Sequence, residues 1–100
     1  MPRQVIFETE ARTEFEDAVE WYNNEELGAG DRLEAEVHET LAVISKHPER
    51  FRLVGPTIRV ARLKVFHKYA VYFHVEGDFI GVVSVFHASR NPEDLQRRIR

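Results

Sequence analysis

The side chains best equipped for chemistry lie in the second half of the chain. His87 carries an imidazole, the side chain whose unperturbed titration falls near neutrality, so it can give or take a proton at physiological pH. Arg62 and Lys64 alternate along an extended run, which puts both cations on one face where they can reach the same phosphate. Arg90 follows closely and offers a planar fork for a further phosphate oxygen. Each residue also has a plainer reading. His87 can pack at a strand end and bond a backbone group, Arg62 and Lys64 can keep an outer sheet position in water, and Arg90 can pair with a Glu or Asp of the helical segments or bind a protein partner. His67 and His74 read as partly exposed strand residues, and His38 and His47 as helix-surface residues. No pair among the five histidines shows a metal-site spacing and cysteine is absent, so no metal, disulfide or cofactor is expected.

The elements that must position these residues follow from periodicity. Gln4 to Phe7 is a β-branched and aromatic run, long enough for one strand. From Ala11 the period changes: Phe15, Ala18, Val19 and Tyr22 share one helical face, with Glu14, Glu16, Asp17 and Glu20 on the other. Thr9 or Thr13 is the expected cap of this helix, and the glycine-bearing stretch from Leu27 to Gly30 turns the chain. Asp31 is the expected cap of a second helix, carried by Leu33, Val37, Leu41 and Ile44 until His47-Pro48 stops it. So short a turn makes the two helices antiparallel. Three further β-rich runs follow, at 58–65, 69–75 and 79–86, the last two joined by the Glu76-Gly77-Asp78 turn. The tail from Pro92 reads as a short helix, with acids first and arginines last, as the helix dipole prefers.

The expected fold is therefore α+β: an N-terminal strand, an antiparallel two-helix hairpin packed on a mainly antiparallel four-stranded sheet, and a short C-terminal helix, all within a single domain spanning 1–100. The last two strands carry large apolar residues in both alternation phases. One sheet face suits the hairpin, and the other has no element of its own large enough to hide it, which predicts a partner. Charge divides with the fold. Residues 1–50 hold 5 Lys/Arg against 13 Asp/Glu, and residues 51–100 hold 9 against 4. This division reads either as a basic binding face or as the ordinary enrichment of helices in glutamate. The N-terminal apolar stretch of three residues is far shorter than a signal-peptide core or a membrane span, and a cytoplasmic location is expected, without membrane contact.

Over nearly its whole length the chain resembles the RelE/ParE superfamily of type II toxins. The resemblance rests on the basic run Arg62-Leu63-Lys64-Val65-Phe66, the aromatic run Tyr69-Ala70-Val71-Tyr72-Phe73, the glycine turn, and Val83 to Phe86 leading into His87-Ala88-Ser89-Arg90-Asn91-Pro92. The first helix through Trp21-Tyr22, and a second closing in His47-Pro48-Glu49, are similar to the ParE side of the family.

The resemblance implies a toxin neutralised by a cognate antitoxin in a hetero-oligomer, one that poisons either DNA gyrase in the ParE manner or ribosome-bound mRNA in the RelE manner. Only the second reading makes the chain an enzyme, an endoribonuclease, with His87 as acid or base at the 2′-hydroxyl or leaving oxygen and Arg62, Lys64 and Arg90 holding phosphate. Two departures favour ParE. The chain is acidic, with a sequence pI ≈ 5.9, whereas a ribosome-binding nuclease needs a strongly basic surface. No tyrosine follows Tyr72, where several nuclease members place one near the scissile phosphate. A non-toxic protein-binding module is the third reading. Trp21, Tyr69, Tyr72, Phe73, Arg59, Arg97 and Arg98 are the residues expected to meet antitoxin or target, although core packing is the plainer role for Trp21.

Overall fold

The computed structural model describes residues 2–99. β1 (Gln4–Phe7) runs directly into α1 (Thr9–Glu25), and α2 (Ala29–Lys46) returns antiparallel to it. Along α1 the buried residues are Ala11, Phe15 and Ala18; along α2 they include Leu33, Val37, Leu41 and Ile44, so the helical periodicity of the sequence is the core stripe. The helix starts differ from expectation. Neither Thr9 nor Thr13 caps α1: the cap is Glu8, whose N–H bonds Val82 O at 2.9 Å while its carbonyl accepts Arg12 N–H at 3.0 Å. Pairing of the preceding strand fixes that end, so no hydroxyl is needed. α2 begins two residues before Asp31, after Gly28 at φ +86°. Its cap comes from the other helix: Asn23 Oδ1 accepts the N–H groups of Gly30 at 2.8 Å and Asp31 at 3.3 Å. Gly30 is also where the two helices touch, since a Cβ there would stand 2.0 Å from the Val19 carbonyl oxygen.

β2 (Ile58–Arg62), β3 (Tyr69–Glu76) and β4 (Phe79–His87) complete a four-stranded sheet of order β1-β4-β3-β2. β2, β3 and β4 are antiparallel neighbours, and β1 joins parallel to β4, Gln4 opposite Phe79 and Phe7 opposite Val82. The mixed sheet follows from connectivity, because the hairpin and two strands intervene between β1 and β4. A bulge at Tyr72/Phe73 lets Val83 and Ser84 together face Tyr72. The hairpin covers one face of the sheet through Ala61, Leu63, Val71, Phe73, Ile80, Val82 and Val85.

β2 is shorter than the sequence suggests. The backbone N–H groups of Lys64, Val65 and Phe66 all turn toward one carboxylate, Glu36 on α2, at 2.7, 2.8 and 2.9 Å. Three successive donors aimed one way are incompatible with strand alternation, so pairing ends at Arg62 and Lys64 lies in a loop.

The second face of the sheet is not bare. α3 (Pro92–Ile99) lies on it, burying Leu95 and Ile99 against Ile58, Val83 and Phe86, with Val54 and Tyr72 at the margin. Eight residues suffice because the i, i+4 pair Leu95/Ile99 is one apolar stripe and the preceding loop adds Val54. The expected absence of an internal cover is thus corrected.

Candidate functional site

β1 ends at Phe7, opposite Val82, so the rest of β4 has no neighbouring strand on that flank. Side chains take its place. Glu14 Oε1 of α1 accepts Ser84 Oγ–H at 2.9 Å and Val85 N–H at 3.1 Å, and Arg98 of α3 donates to Val83 O at 3.3 Å. Glu14 also pairs with Arg90, and with Arg98 at 3.0 Å, while Glu10 holds the other Arg98 nitrogen at 2.9 Å. Burial works against the charge on Arg98, yet hydrogen bonds and proximity to Glu14 and Glu10 hold its pKa above the ordinary value.

This cluster borders a cleft of about 430 Å³ lined by Thr13, Asp17, Trp21, Tyr69, His87 and Arg90. His87 stands at its floor, edge-on to the Tyr69 ring at 4.8 Å. Its Nδ1 accepts Ser89 N–H at 2.9 Å, so the proton of the neutral ring sits on Nε2. Trp21 is 57% exposed and packs edge-on against Tyr22 at 4.9 Å. Burial, then the neighbouring Tyr22, push the Tyr69 hydroxyl up to about 12.

The four residues with nuclease chemistry are distributed over separate places. His87 and Arg90 share the cleft, but Arg90 is held by Glu14 and lies over the Phe86 ring at 4.8 Å. Arg62 lines a different cleft with His67 and Lys68, and Lys64 sits in the loop anchored by Glu36, not on a strand face beside Arg62. Of the expected binding residues, Trp21 is exposed, and Tyr69 and Tyr72 are half-buried. Phe73 is corrected: its parity on β3 points it under the hairpin, where it is wholly buried beside Phe51. Arg59 donates to Phe51 O at 2.6 Å, Arg97 pairs with Asp94 at 2.9 Å, and Arg98 belongs to the Glu14 cluster. Among the described residues no group of three His, Cys, Asp or Glu is placed to hold a metal, and no helix is long and apolar enough to cross a membrane.

A larger concavity than the His87 cleft lies on the opposite side of the hairpin. A groove of about 690 Å³ runs between β1 and the two helices, floored by Val5, Phe7, Phe15, Leu41 and Ala42 and rimmed by Arg12, Glu16, Glu34, His38 and Lys46. Gln4 N and Glu8 N bond toward β4, whereas Arg3 N bonds Ser45 O on α2. By alternation Val5 and Phe7 direct their N–H groups to the groove side.

The family model described as the ParE toxin of the type II toxin-antitoxin system, parDE, matches residues 5–92. The chain belongs to the ParE toxin family. That match runs from the second residue of β1 to the first of α3 and settles the branch in favour of ParE. The fold of this ParE-family chain is similar to that of a solved structure described as the chromosomal ParDE TA system from P. aeruginosa, at TM-score 0.69 and 14% identity, covering 87% of this chain and 97% of that one. No curated protein sequence matches.

The residues that organise this ParE-family site were not visible as such in the sequence. Glu14, Glu36 and Asn23 look like ordinary helix-surface polar residues. Their partners lie 84, 28 and 7 residues away for Arg98, Lys64 and Gly30, and no local pattern announces them.

Proposed function

We propose that this ParE-family toxin acts by binding rather than by cleavage, with DNA gyrase as its target, and that its cognate antitoxin neutralises it from the groove beside the hairpin. The observation that carries the reading is the engagement of Arg90 with Glu14, which already neutralises the cation that phosphate transfer would need in the His87 cleft. Arg62 and Lys64 stand elsewhere, so His87 has no phosphate clamp around it. For the antitoxin, the support is the groove itself. α3 already occupies part of the second sheet face, whereas the groove combines an apolar floor with the outward N–H groups of β1, the two features that an extended or helical segment uses.

The test is inhibition of gyrase supercoiling by the purified toxin freed of antitoxin. Inhibition at stoichiometric excess is the expected result, and undiminished supercoiling overturns the choice of target. Discrete messenger cuts by translating ribosomes that vanish in His87→Ala would establish the nuclease instead. For the groove, Ala42→Arg on its exposed floor is expected to abolish co-purification with the antitoxin while leaving the thermal transition in place. Unimpaired co-purification would place the antitoxin elsewhere.

A further inference from the structure

Between Glu49 and Glu76 the chain contains six Lys/Arg residues and no Asp or Glu, although the protein as a whole carries a formal charge of −3. This stretch forms β2, most of β3 and their flanking loops, which is one edge of the sheet. Arg50, Arg52, Arg59, Arg62, Lys64 and Lys68 make no ion pair with any described residue, whereas Arg90, Arg97 and Arg98 are all engaged. The positive charge of the α3 side is therefore neutralised internally, whereas on the β2 side all of these cations but the half-buried Arg59 are exposed to solvent.

At one end the cationic edge meets the part of the second sheet face that α3 leaves open. There a cleft of about 270 Å³ is lined by Arg62, His67, Lys68, Tyr69, Tyr72 and Phe86. Arg62, His67 and Lys68 are exposed, and Tyr72 is half-buried, its ring edge-on to Phe86 at 6.4 Å. Arg62 stands opposite Ala70 and Val60 opposite Tyr72, so the arginine and the tyrosine share this face, with the short Ala70 side chain beside them. Glu36 fixes the adjoining loop through three backbone bonds, so the rim is held in place before any ligand arrives.

We infer that this cleft binds single-stranded nucleic acid, with phosphates on Arg62 and Lys68 and a base against the half-buried Tyr72 ring, which the buried Phe86 backs edge-on. Cations that track a backbone and an aromatic side chain that accepts a base are the two components of sequence-tolerant single-strand binding. A duplex, whose bases are already stacked, would use only the cations, and an acidic peptide would have no base to place on the Tyr72 ring. The acidic hairpin lies across the sheet, so its field orients a polyanion toward this edge. The inference needs no cleavage and is independent of the choice of gyrase as target.

The experiment is fluorescence anisotropy of a labelled oligothymidylate of about ten nucleotides with the full chain at about 50 mM salt. Binding is expected to weaken more than about tenfold in Arg62→Glu/Lys68→Glu, and the log–log salt slope to fall in size by about 1.4, the value for two single-strand phosphate contacts. Both side chains are exposed and make no hydrogen bond with any described residue, and circular dichroism of the variant confirms folding. Arg50→Glu/Arg52→Glu, outside the cleft, is expected to lose less than about threefold. An equal loss in both variants, no binding by the wild type, equal affinity for a duplex of the same length, or equal competition by polyglutamate would each overturn the inference.

Discussion

Glu14 of α1 and Arg98 of α3 meet at 3.0 Å across the unpaired flank of β4, with side chains only 11% and 15% exposed. The carboxylate accepts from Val85 N–H and the guanidinium donates to Val83 O, so an ion pair substitutes for the strand that β1 is too short to provide. The pair joins the two layers that sandwich the sheet and holds α3, a helix too short to persist alone.

Removing the carboxylate leaves Arg98 and Arg90 without their shared partner and Val85 N–H without an acceptor. Glu14→Ala is expected to destabilise the fold by about 3 kcal/mol, the lower end for breaking a largely buried pair. Glu14→Gln keeps an oxygen for Ser84 and Val85 and should lose less. Urea denaturation compares the two, and equal stability of Glu14→Ala and wild type would refute the role.

The hairpin turn depends on Gly30 and Asn23 for different reasons. Gly30→Ala drives a methyl group into the Val19 carbonyl, a backbone atom that cannot yield without moving α1, and should cost about 3 kcal/mol. Asn23→Ala removes only the side-chain cap of α2, with an expected loss of about 1 kcal/mol. Thermal melts of both variants should preserve that order.

Glu36 gives the stability an acid-side signature. Burial raises its pKa, but the Phe66, Val65 and Lys64 N–H groups, helped by the Lys64 charge, outweigh this and hold it below the ordinary 4.5. A carboxyl whose folded pKa is depressed contributes stability above its unfolded pKa and loses it as pH falls through the folded value. Glu36→Gln should therefore be less stable than wild type at pH 6, with the gap closing as pH falls from 4.5 downward. A gap independent of pH in urea titrations would show that the carboxylate charge is irrelevant there.

Tyr69 supplies the opposite signature in alkali. Its folded pKa, raised from 10.0 to about 12, means that the unfolded chain ionises first, so its contribution is intact below pH 10 and is lost as pH rises through 12. Tyr69→Phe should flatten the alkaline decline in stability. In ultraviolet titration of the folded protein the last tyrosine to ionise should be missing from the variant. Retention of that late step would assign it to another ring.

Much of the fold was legible because its stripes are local. Phe15, Ala18, Leu33, Val37, Leu41 and Ile44 repeat at helical spacing, and all are buried. β3 and β4 declared themselves through apolar residues in both phases, which correctly implied cover on two faces. The cover of the second face was missed because Leu95 and Ile99 are only two apolar residues among arginines and acids, and their docking depends on the distant Glu14. The end of β2 was missed for a related reason: Lys64 and Val65 carry strand-like side chains, but their backbone answers to Glu36. Around His87, residue types suggested a phosphate site, while the Arg90–Glu14 contact that alters that reading is long-range.

The parallel pairing of β1 with β4 sets a temporal order on the molecule. Gln4 emerges first from the ribosome, and its partner Phe79 emerges only after the hairpin, β2 and β3. Contacts of such sequence separation form late and slow folding. The groove between β1 and the helices, which needs β1 seated, is therefore completed only when synthesis is nearly finished. A chain interrupted before β4 lacks the anchor for its own N-terminus, so premature release leaves an incompletely assembled toxin.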